Sequence, residues 1–586
     1  MTCSPTLQCH HLRILRPKIA NLFALLAFSL IASAQNPVPT VNQPLVPAAA
    51  VPGGTGFTLT VNGTGFVPDS VIHWNGAALN THFVDQGRLT TLIPEANVAN
   101  AGTASIDVVN PAPGGGSSQT VFFPISRPES AVAFVRSDFG AAGTNIYMVT
   151  ADFNRDGKLD LAVTENFAGD VRILLGDGNG AFDSFQTYPA CAAHGLTSGD
   201  LNGDGIGDLA IADLGCNGEV SVLLGNGDGT FKDGGTLNTA GVPYSITFGD
   251  FNSDGKLDVA TADHLEDVSI LLGNGDGSFQ SYVTYPSGFD TRQVAVGDFN
   301  NDGRLDLAIS SGEGVSILFG NGDGTFQPQL LYSLTTNDNP YLILADLNGD
   351  GRLDMVIANT GGSVSIMLGN GDGTFRPPAF YPTDGFSATV IAADFNGDGI
   401  LDLACGNYYS ANVAILLGNG DGSFHAPTNY AAASGARGLV AADFNGDGRL
   451  DLAVANQFED SISIFLQPVI DTTPPLITLA ISRATLWPPN GKMVPVEVSG
   501  RITDTGSGVD VSSVAYSVMD EYAEVQPTGA ISLGAGGTYS FTVWLQESRL
   551  STDLDGRQYT ITVRASDNAG NGGSEASVLT VPHDQR

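Results

Sequence analysis

One pattern recurs seven times along the chain, starting at Asp152, Asp200, Asp250, Asp298, Asp346, Asp394 and Asp443, at steps of 48, 50, 48, 48, 48 and 49 residues. Each copy reads Asp-x-Asn-x-Asp-Gly-x-x-Asp and runs into an apolar stretch such as Leu161-Ala162-Val163. Self-similarity at such a period marks a repeat architecture, in which each unit buries its apolar faces against its neighbours. Within a unit the order is an apolar stretch, the Asp loop, a second apolar stretch, a polar connection, a third strand and a glycine turn. Gly225-Asn226-Gly227-Asp228-Gly229 is one such turn, and Thr230-Phe231 follows it. One more short strand, as in Tyr282-Val283-Thr284-Tyr285-Pro286, completes the unit. Four strands in 48 residues make one blade of a β-propeller, and seven units predict seven blades.

The ends of the array supply a check. The seventh unit stops at Ile462-Ser463-Ile464-Phe465-Leu466 with no glycine turn and no fourth strand. Ala131-Val132-Ala133-Phe134-Val135 precedes the first Asp loop where other units carry their last strand, so it is expected to complete blade 7 and close the ring. Closure removes an open sheet edge.

The loop residues are all oxygen donors. The candidate ligands are Asp152, Asn154, Asp156 and Asp160; Asp200, Asn202, Asp204 and Asp208; Asp250, Asn252, Asp254 and Asp258; Asp298, Asn300, Asp302 and Asp306; Asp346, Asn348, Asp350 and Asp354; Asp394, Asn396, Asp398 and Asp402; and Asp443, Asn445, Asp447 and Asp451. The backbone carbonyl at position 7 adds a donor from Lys158, Ile206, Lys256, Arg304, Arg352, Ile400 and Arg449. Hard cations such as Ca²⁺ take six to eight oxygens, and alternate side chains with a Gly at position 6 can wrap around one ion. Position 12 is apolar, as at Val163 and Val454, so Asp at position 9 closes the site in place of the glutamate of a helix-flanked loop. The bland reading is that Asp and Asn only bond their own backbone. Twenty-one carboxylates in seven tight clusters weigh against it, since like charges so close favour a cation, and about seven Ca²⁺ ions are expected. At these loops the sequence resembles the FG-GAP/VCBS repeat family, whose propellers include the heads of integrin α-chains and many bacterial surface proteins. The resemblance implies that the calcium is structural, bracing the turn between the first two strands of each blade.

The flanks are different. Residues 1–34 carry Arg13, Arg16 and Lys18, an apolar stretch over 19–32 and Ala32-Ser33-Ala34, the order of a secretory signal peptide with its cleavage site. Residues 36–50, rich in Pro, Val and Ala, read as an extended linker within a module spanning 36–126. That module contains Phe57-Thr58-Leu59-Thr60-Val61, Asn62-Gly63-Thr64-Gly65-Phe66 and Val71-Ile72-His73-Trp74-Asn75-Gly76, short alternating runs separated by turn residues, as in a β-sandwich. It is similar to IPT/TIG immunoglobulin-like domains, which implies a spacer or binding role. The propeller is expected over 130–467. Asp471-Thr472-Thr473-Pro474-Pro475 reads as a stiff linker opening a third module, 471–586, whose Ala565-Ser566-Asp567-Asn568-Ala569-Gly570-Asn571 resembles bacterial immunoglobulin-like modules. The fold class expected is therefore all-β, a seven-bladed propeller flanked by two sandwiches.

Charge narrows the partners. A formal net charge of -37 opposes binding to nucleic acid or anionic membranes. No membrane span is expected once the signal is cleaved, and a monomer is expected. Cys191 and Cys216 lie in one repeat, and export permits a disulfide between them, so the bonded and the free state both stand as readings. No His-Glu-x-x-His, Gly-x-Ser-x-Gly or phosphate-loop motif occurs, so a non-catalytic, secreted or cell-surface binding or adhesion module for a protein or glycan is the leading reading. A polysaccharide lyase or hydrolase on the same scaffold, and a purely architectural surface spacer, are the alternatives. A ligand is expected on the face opposite the Asp loops, where Phe167, His194, His264, Tyr285, Phe289, Arg292, Tyr341, Phe386, Tyr408, Tyr409, Arg437 and Phe458 are candidates.

Overall fold

The computed structural model describes residues 35–583 except 127, 130, 141–144, 166–168, 216–217, 265–266, 335–340, 469–472, 505–507 and 569. The expected signal peptide, Phe167, Cys216 and the start of the second linker fall outside the described residues. The chain divides into two compact units, Met1–Leu466 and Gln467–Arg586.

Within the first unit seven four-stranded antiparallel sheets form the propeller, six with their strands in sequence order and the seventh completed by a strand from ahead of the first blade. In the first blade these are Asn145–Ala151, Asp160–Glu165, Asp170–Gly176 and Phe182–Pro189. The second strand of every blade is buried along its whole length, because neighbouring blades cover both of its faces. That burial explains why these strands read as continuous apolar runs instead of alternating ones. Separate apolar clusters fill the successive interfaces: Ala162 and Val171 against Leu209 and Ile211, Ala260 and Ile270 against Leu307 and Ile309, Val413 and Ile415 against Leu452 and Val454. A further cluster joins blade 7 to blade 1, with Ala453 and Ile462 against Leu161 and Val163, and so closes the ring.

The recurrent Phe after each glycine turn has a structural role. Phe231 packs edge-on against Phe153 of the preceding blade's loop at 5.6 Å, Phe326 against Phe251 at 5.5 Å and Phe375 against Phe299 at 5.8 Å. The adjoining turn approaches closely enough for Gly229 N–H to donate to the Phe153 carbonyl at 3.1 Å and Gly324 N–H to the Phe251 carbonyl at 3.0 Å. A Cβ on Gly324 would come within 2.9 Å of Leu272, and its φ is +82°, so glycine is required twice over.

Closure uses a different segment from the one expected. The fourth strand of blade 7 is Val135–Gly140, paired antiparallel with Ser461–Leu466 from Val135↔Leu466 to Gly140↔Ser461. Residues 131–134 are not strand; Val132 and Phe134 instead pack between blades 6 and 7, where Phe134 sits edge-on to Tyr430, Phe395 and Phe465. Outer strands face solvent, so the true closing strand carries little apolar signal, and Val135 is 62% exposed.

Residues 36–50 also differ from expectation. They are not a free linker, since Thr40–Val46 forms an edge strand paired with Phe57–Thr64, burying Val41 and Leu45. Proline is tolerated on such an edge because no partner needs its missing N–H. The domain has two sheets, one led by Thr40–Val46 and the other built on Val71–Trp74 and Gly102–Asn110, around a core of Leu59, Ile72, Trp74, Ile106 and Phe123.

The second unit is a sandwich of two antiparallel sheets, Leu476–Ile481, Met493–Thr503 and Thr538–Gln546 facing Thr528–Ala530, Val509–Asp520, Arg557–Asp567 and Gly572–Val581. Val496, Val543, Val518, Ile561 and Leu579 fill its core. Arg557 is fully buried and donates from Nε to Asp520 Oδ1 at 2.9 Å and from Nη2 to Oδ2 at 2.5 Å. Substituting Arg557→Met is expected to cost this unit about 3–5 kcal/mol, because Asp520 is left as an uncompensated buried charge. Denaturant titration of the full chain measures it, and an unchanged transition would show that the pair contributes nothing net.

Candidate functional site

The propeller has two faces of opposite character. The turns between first and second strands, and between third and fourth, put the Asp loops and glycine turns on one face. The turns between second and third strands, with the links between blades, form the other.

On the loop face the seven copies are nearly superimposable in their bonding. In the first, the N–H of Asp156 donates to Asp152 Oδ1 at 3.1 Å and to Asn154 Oδ1 at 2.9 Å, Gly157 N–H to Asp152 Oδ2 at 2.8 Å and Lys158 N–H to Asp156 Oδ1 at 2.9 Å. Asp160 accepts from Phe153 N–H and Gly176 N–H, both at 2.9 Å. The equivalent bonds recur in the last full copy of the array, at Asp394, Asn396, Asp398 and Asp402. Glycine at position 6 has positive φ throughout, from +73° at Gly205 to +89° at Gly448. Position 4 has the same requirement, which the sequence reading missed: Gly203, Gly349, Gly397 and Gly446 meet it, while Arg155, Ser253 and Asn301 adopt φ of 56–60°.

The position-9 carboxylates are 0% exposed. Burial raises them, assisted by the Asp residues at positions 1 and 5, so that Asp160, Asp208 and Asp354 are pushed up to about 6, Asp258 and Asp306 to about 7 and Asp402 to about 8. Among the described residues no three His, Cys, Asp or Glu side chains converge as an assembled metal centre. The local backbone bonding and ion binding are nonetheless compatible, since a carboxylate oxygen that accepts one N–H keeps a second lone pair. The donor set of two Asp and one Asn around a Gly turn, a buried Asp and the position-7 carbonyl suits a hard, oxygen-seeking cation, and the raised pKa values reflect burial together with the neighbouring Asp carboxylates.

This face is partly covered. The N-terminal sandwich sits over it: Val38 N–H donates to Asp250 Oδ2 at 2.9 Å and Asp346 N–H to the Gln43 carbonyl at 3.1 Å; just after the sandwich, Glu129 N–H donates to the Asn396 carbonyl at 2.8 Å and Glu129 pairs with Arg449. The seat is eccentric. Position-1 aspartates of the third to sixth loops are buried, whereas Asp152 and Asp200 are not.

The opposite face carries most of the remaining candidates, in two groups. Along the axis, Tyr147, His194, Tyr244 and His264 form a chain of ring contacts of 4.9–5.0 Å, and Tyr341 stacks on Tyr147 at 6.2 Å. Arg437 lies over Tyr147 and Arg292 over Tyr244 at 4.3 Å. Nearer the rim of blades 6 and 7, Phe386, Tyr408, Tyr409 and Phe458 form one aromatic cluster with centroids 4.7–6.4 Å apart. Tyr409 is 69% and Phe458 53% exposed, with their rings inclined by only 23°. Two candidates stand apart: Tyr285 packs against Phe326 at 5.5 Å as an inter-blade filler, and Phe289 is exposed outside the cluster. Tyr147, Tyr244 and Gln457 belong to this face but had no sequence signal, because Tyr147 and Tyr244 lie inside apolar inner strands. Cys191 is disulfide-bonded, and Cys405 is free and buried.

Comparison with known proteins agrees with this architecture. The FG-GAP-like repeat model matches residues 152–211, 200–261, 250–309, 298–357, 346–405 and 394–454, and the IPT/TIG domain model matches 41–125. Among solved structures, an Agrocybe aegerita lectin that recognises non-reducing terminal N-acetylglucosamine is 19% identical, covering 61% of this chain and 96% of its own, with a TM-score of 0.37. A periplasmic gluconolactonase of Pseudomonas aeruginosa is 16% identical, covering 57% and 94%, with a TM-score of 0.39. An auxiliary nutrient binding protein from Bacteroides ovatus is 10% identical, covering 73% and 98%, with a TM-score of 0.35. No curated protein matches the chain. The repeat matches run through every Asp loop and span more than half of the sequence, and on that ground the chain belongs to the FG-GAP-like repeat family, with an IPT/TIG domain ahead of its propeller.

Proposed function

We propose that the protein is an exported, calcium-braced, non-catalytic binding protein that takes a glycan on the propeller face opposite the Asp loops. The observation that carries this reading is the aromatic cluster in which exposed Tyr409 and Phe458 stand on half-buried Phe386 and Tyr408, on the face that the IPT/TIG domain does not cover. Near-parallel exposed rings suit the flat apolar face of a sugar, and aromatic anchors dominate binding energy at such sites. A non-catalytic role is supported by His194, the one buried histidine on this face. It donates Nδ1–H to the Tyr244 carbonyl at 2.7 Å and meets Arg437 with Nε2 at 3.1 Å, so neither nitrogen is free to act as a base. Both domain types are typical of extracellular proteins, and among the described residues no helix is long and apolar enough to cross a membrane.

The test is a glycan array probed with the wild type and with the double variant Tyr409→Ala/Phe458→Ala. A reproducible glycan signal is expected, falling at least about tenfold in the variant, which corresponds to about 1.4 kcal/mol. Its melting temperature should be unchanged, since both rings are exposed. No ligand for the wild type would favour a purely architectural spacer.

A further inference from the structure

The aromatic cluster is joined to a charge. Tyr408 donates its hydroxyl to Gln457 Oε1 at 2.8 Å, and Arg437 Nη1 donates to the same oxygen at 3.2 Å, so one amide links the rings to a guanidinium. Arg437 lies on the innermost strand of blade 7, Ala436–Ala442, and is half-buried. Its other contacts are His194 Nε2 at 3.1 Å and the Tyr147 ring, 5.7 Å from Cζ. Neither supplies a negative charge. His194 carries its proton on Nδ1, and burial together with the Arg437 charge pushes its pKa down to about 3, leaving a neutral ring.

Among the described residues no carboxylate lies within ion-pair distance of Arg437. Arg292, on the same face, differs: its Nη2 is 2.9 Å from Asp290 Oδ1, which also meets His264. Among the described residues Arg437 is thus half-buried with uncharged partners only, in a chain with 61 acidic and 24 basic side chains; Arg549 of the second unit, also half-buried, likewise has only backbone acceptors. The bonds to Gln457 and His194 occupy two of the five N–H donors of an arginine, and with the Tyr147 ring three contacts fix its orientation, which leaves a preorganised fork for an incoming oxyanion.

We propose, resting on the binding reading above, that the ligand of this face is an oligosaccharide bearing a single carboxylated sugar, whose ring stacks on Tyr409 and Phe458 while Arg437 receives its carboxylate. The rings select a cyclic, flat-faced ligand and the fork selects a planar carboxylate. A polyanion is disfavoured by the net charge of -37 and by Glu459 and Asp460, which follow Phe458 directly and are exposed. One acidic group therefore fits and a run of them does not.

The experiment titrates the full chain, by calorimetry in calcium-containing buffer, with matched oligosaccharides ending in glucuronate, galacturonate or mannuronate and with their carboxyl-reduced counterparts ending in glucose, galactose or mannose. Triglutamate and a polygalacturonate chain serve as further probes. At least one uronate is expected to bind tenfold or more tightly than its reduced partner. Arg437→Gln should abolish that preference while leaving the affinity for the reduced sugar within about twofold, and Arg437→Lys should keep part of it. Melting curves of both variants confirm that they are folded. Equal affinity for uronate and reduced sugar would overturn the inference while leaving the glycan-binding reading intact. Binding of triglutamate alone would make the occupant a peptide and overturn both, as would no binding by any probe. Tighter binding of polygalacturonate than of a single-acid ligand would also overturn the inference.

Discussion

Replacing Val135–Gly140 by a Gly-Ser segment of the same length is expected to lower the melting temperature of the propeller by on the order of 10 °C and to promote association. The segment is the outer strand of blade 7, paired along its whole length with Ser461–Leu466. Asp138 accepts from Ser463 Oγ at 2.6 Å and its pKa is held below the ordinary carboxylate value: burial opposes this, but the Arg136 guanidinium and Ser463 outweigh it. Without this strand, Ser461–Leu466 becomes an exposed sheet edge, the kind of template that pairs with other chains. The blade 7–blade 1 interface, where Ile462 and Ile464 meet Leu161 and Val163, then loses one of its covers. Differential scanning calorimetry and size-exclusion chromatography measure the two effects. A variant that stays monomeric with an unchanged melting temperature would mean that the ring does not depend on this strand.

Removal of calcium is the second large effect expected. If each loop takes one ion, a hundredfold excess of calcium over the dissociation constant stabilises the fold by about 2.7 kcal/mol per site, so chelation should shift melting far more than any single substitution. Metal analysis of the purified protein should find about seven ions per chain. Asp402→Asn should remove one equivalent and leave the others, since Asp402 is the carboxylate most strongly raised by burial and by Asp394 and Asp398. A protein that melts identically with calcium and with chelator would show that the loops are held by their N–H bonds alone.

The sequence made some parts of the molecule legible and hid others for physical reasons. The loops were readable because each must satisfy several local demands at once, oxygen donors at alternate positions and a left-handed glycine at position 6, and those demands repeat. Position 4 was hidden because Arg155, Ser253 and Asn301 adopt the same conformation without being glycine. The closing strand was misplaced onto the apolar residues 131–135, which do pack inward, while the strand that pairs is largely exposed and polar. Thr40–Val46 was masked by prolines that an edge strand tolerates. On the ligand face, Tyr408, Tyr409 and Phe458 were accessible to reading because they sit in turns whose positions the repeat fixes. Tyr147 and Tyr244 were not, because an aromatic residue inside an inner strand looks like core. The docking of the IPT/TIG domain on the loops had no sequence signal: on the domain's side it rests on backbone groups of Val38 and Gln43, which any residue possesses.

The register of the closing pair also sets how the propeller answers mechanical load. Val135 lies opposite Leu466, so the chain enters the first of these strands and leaves the second at the same end of the ladder. Tension between the segment before Val135 and the segment after Leu466 therefore peels the pairs one at a time, beginning at Val135↔Leu466, instead of shearing all of them together. The wedge of Phe134 among Tyr430, Phe395 and Phe465 stands immediately ahead of that first pair, and the bond from the Tyr430 hydroxyl to the Val132 carbonyl, at 2.5 Å, stands ahead of the wedge. Those contacts make a force-bearing latch, and how fast it yields under load sets the lifetime of the ring on a stretched chain.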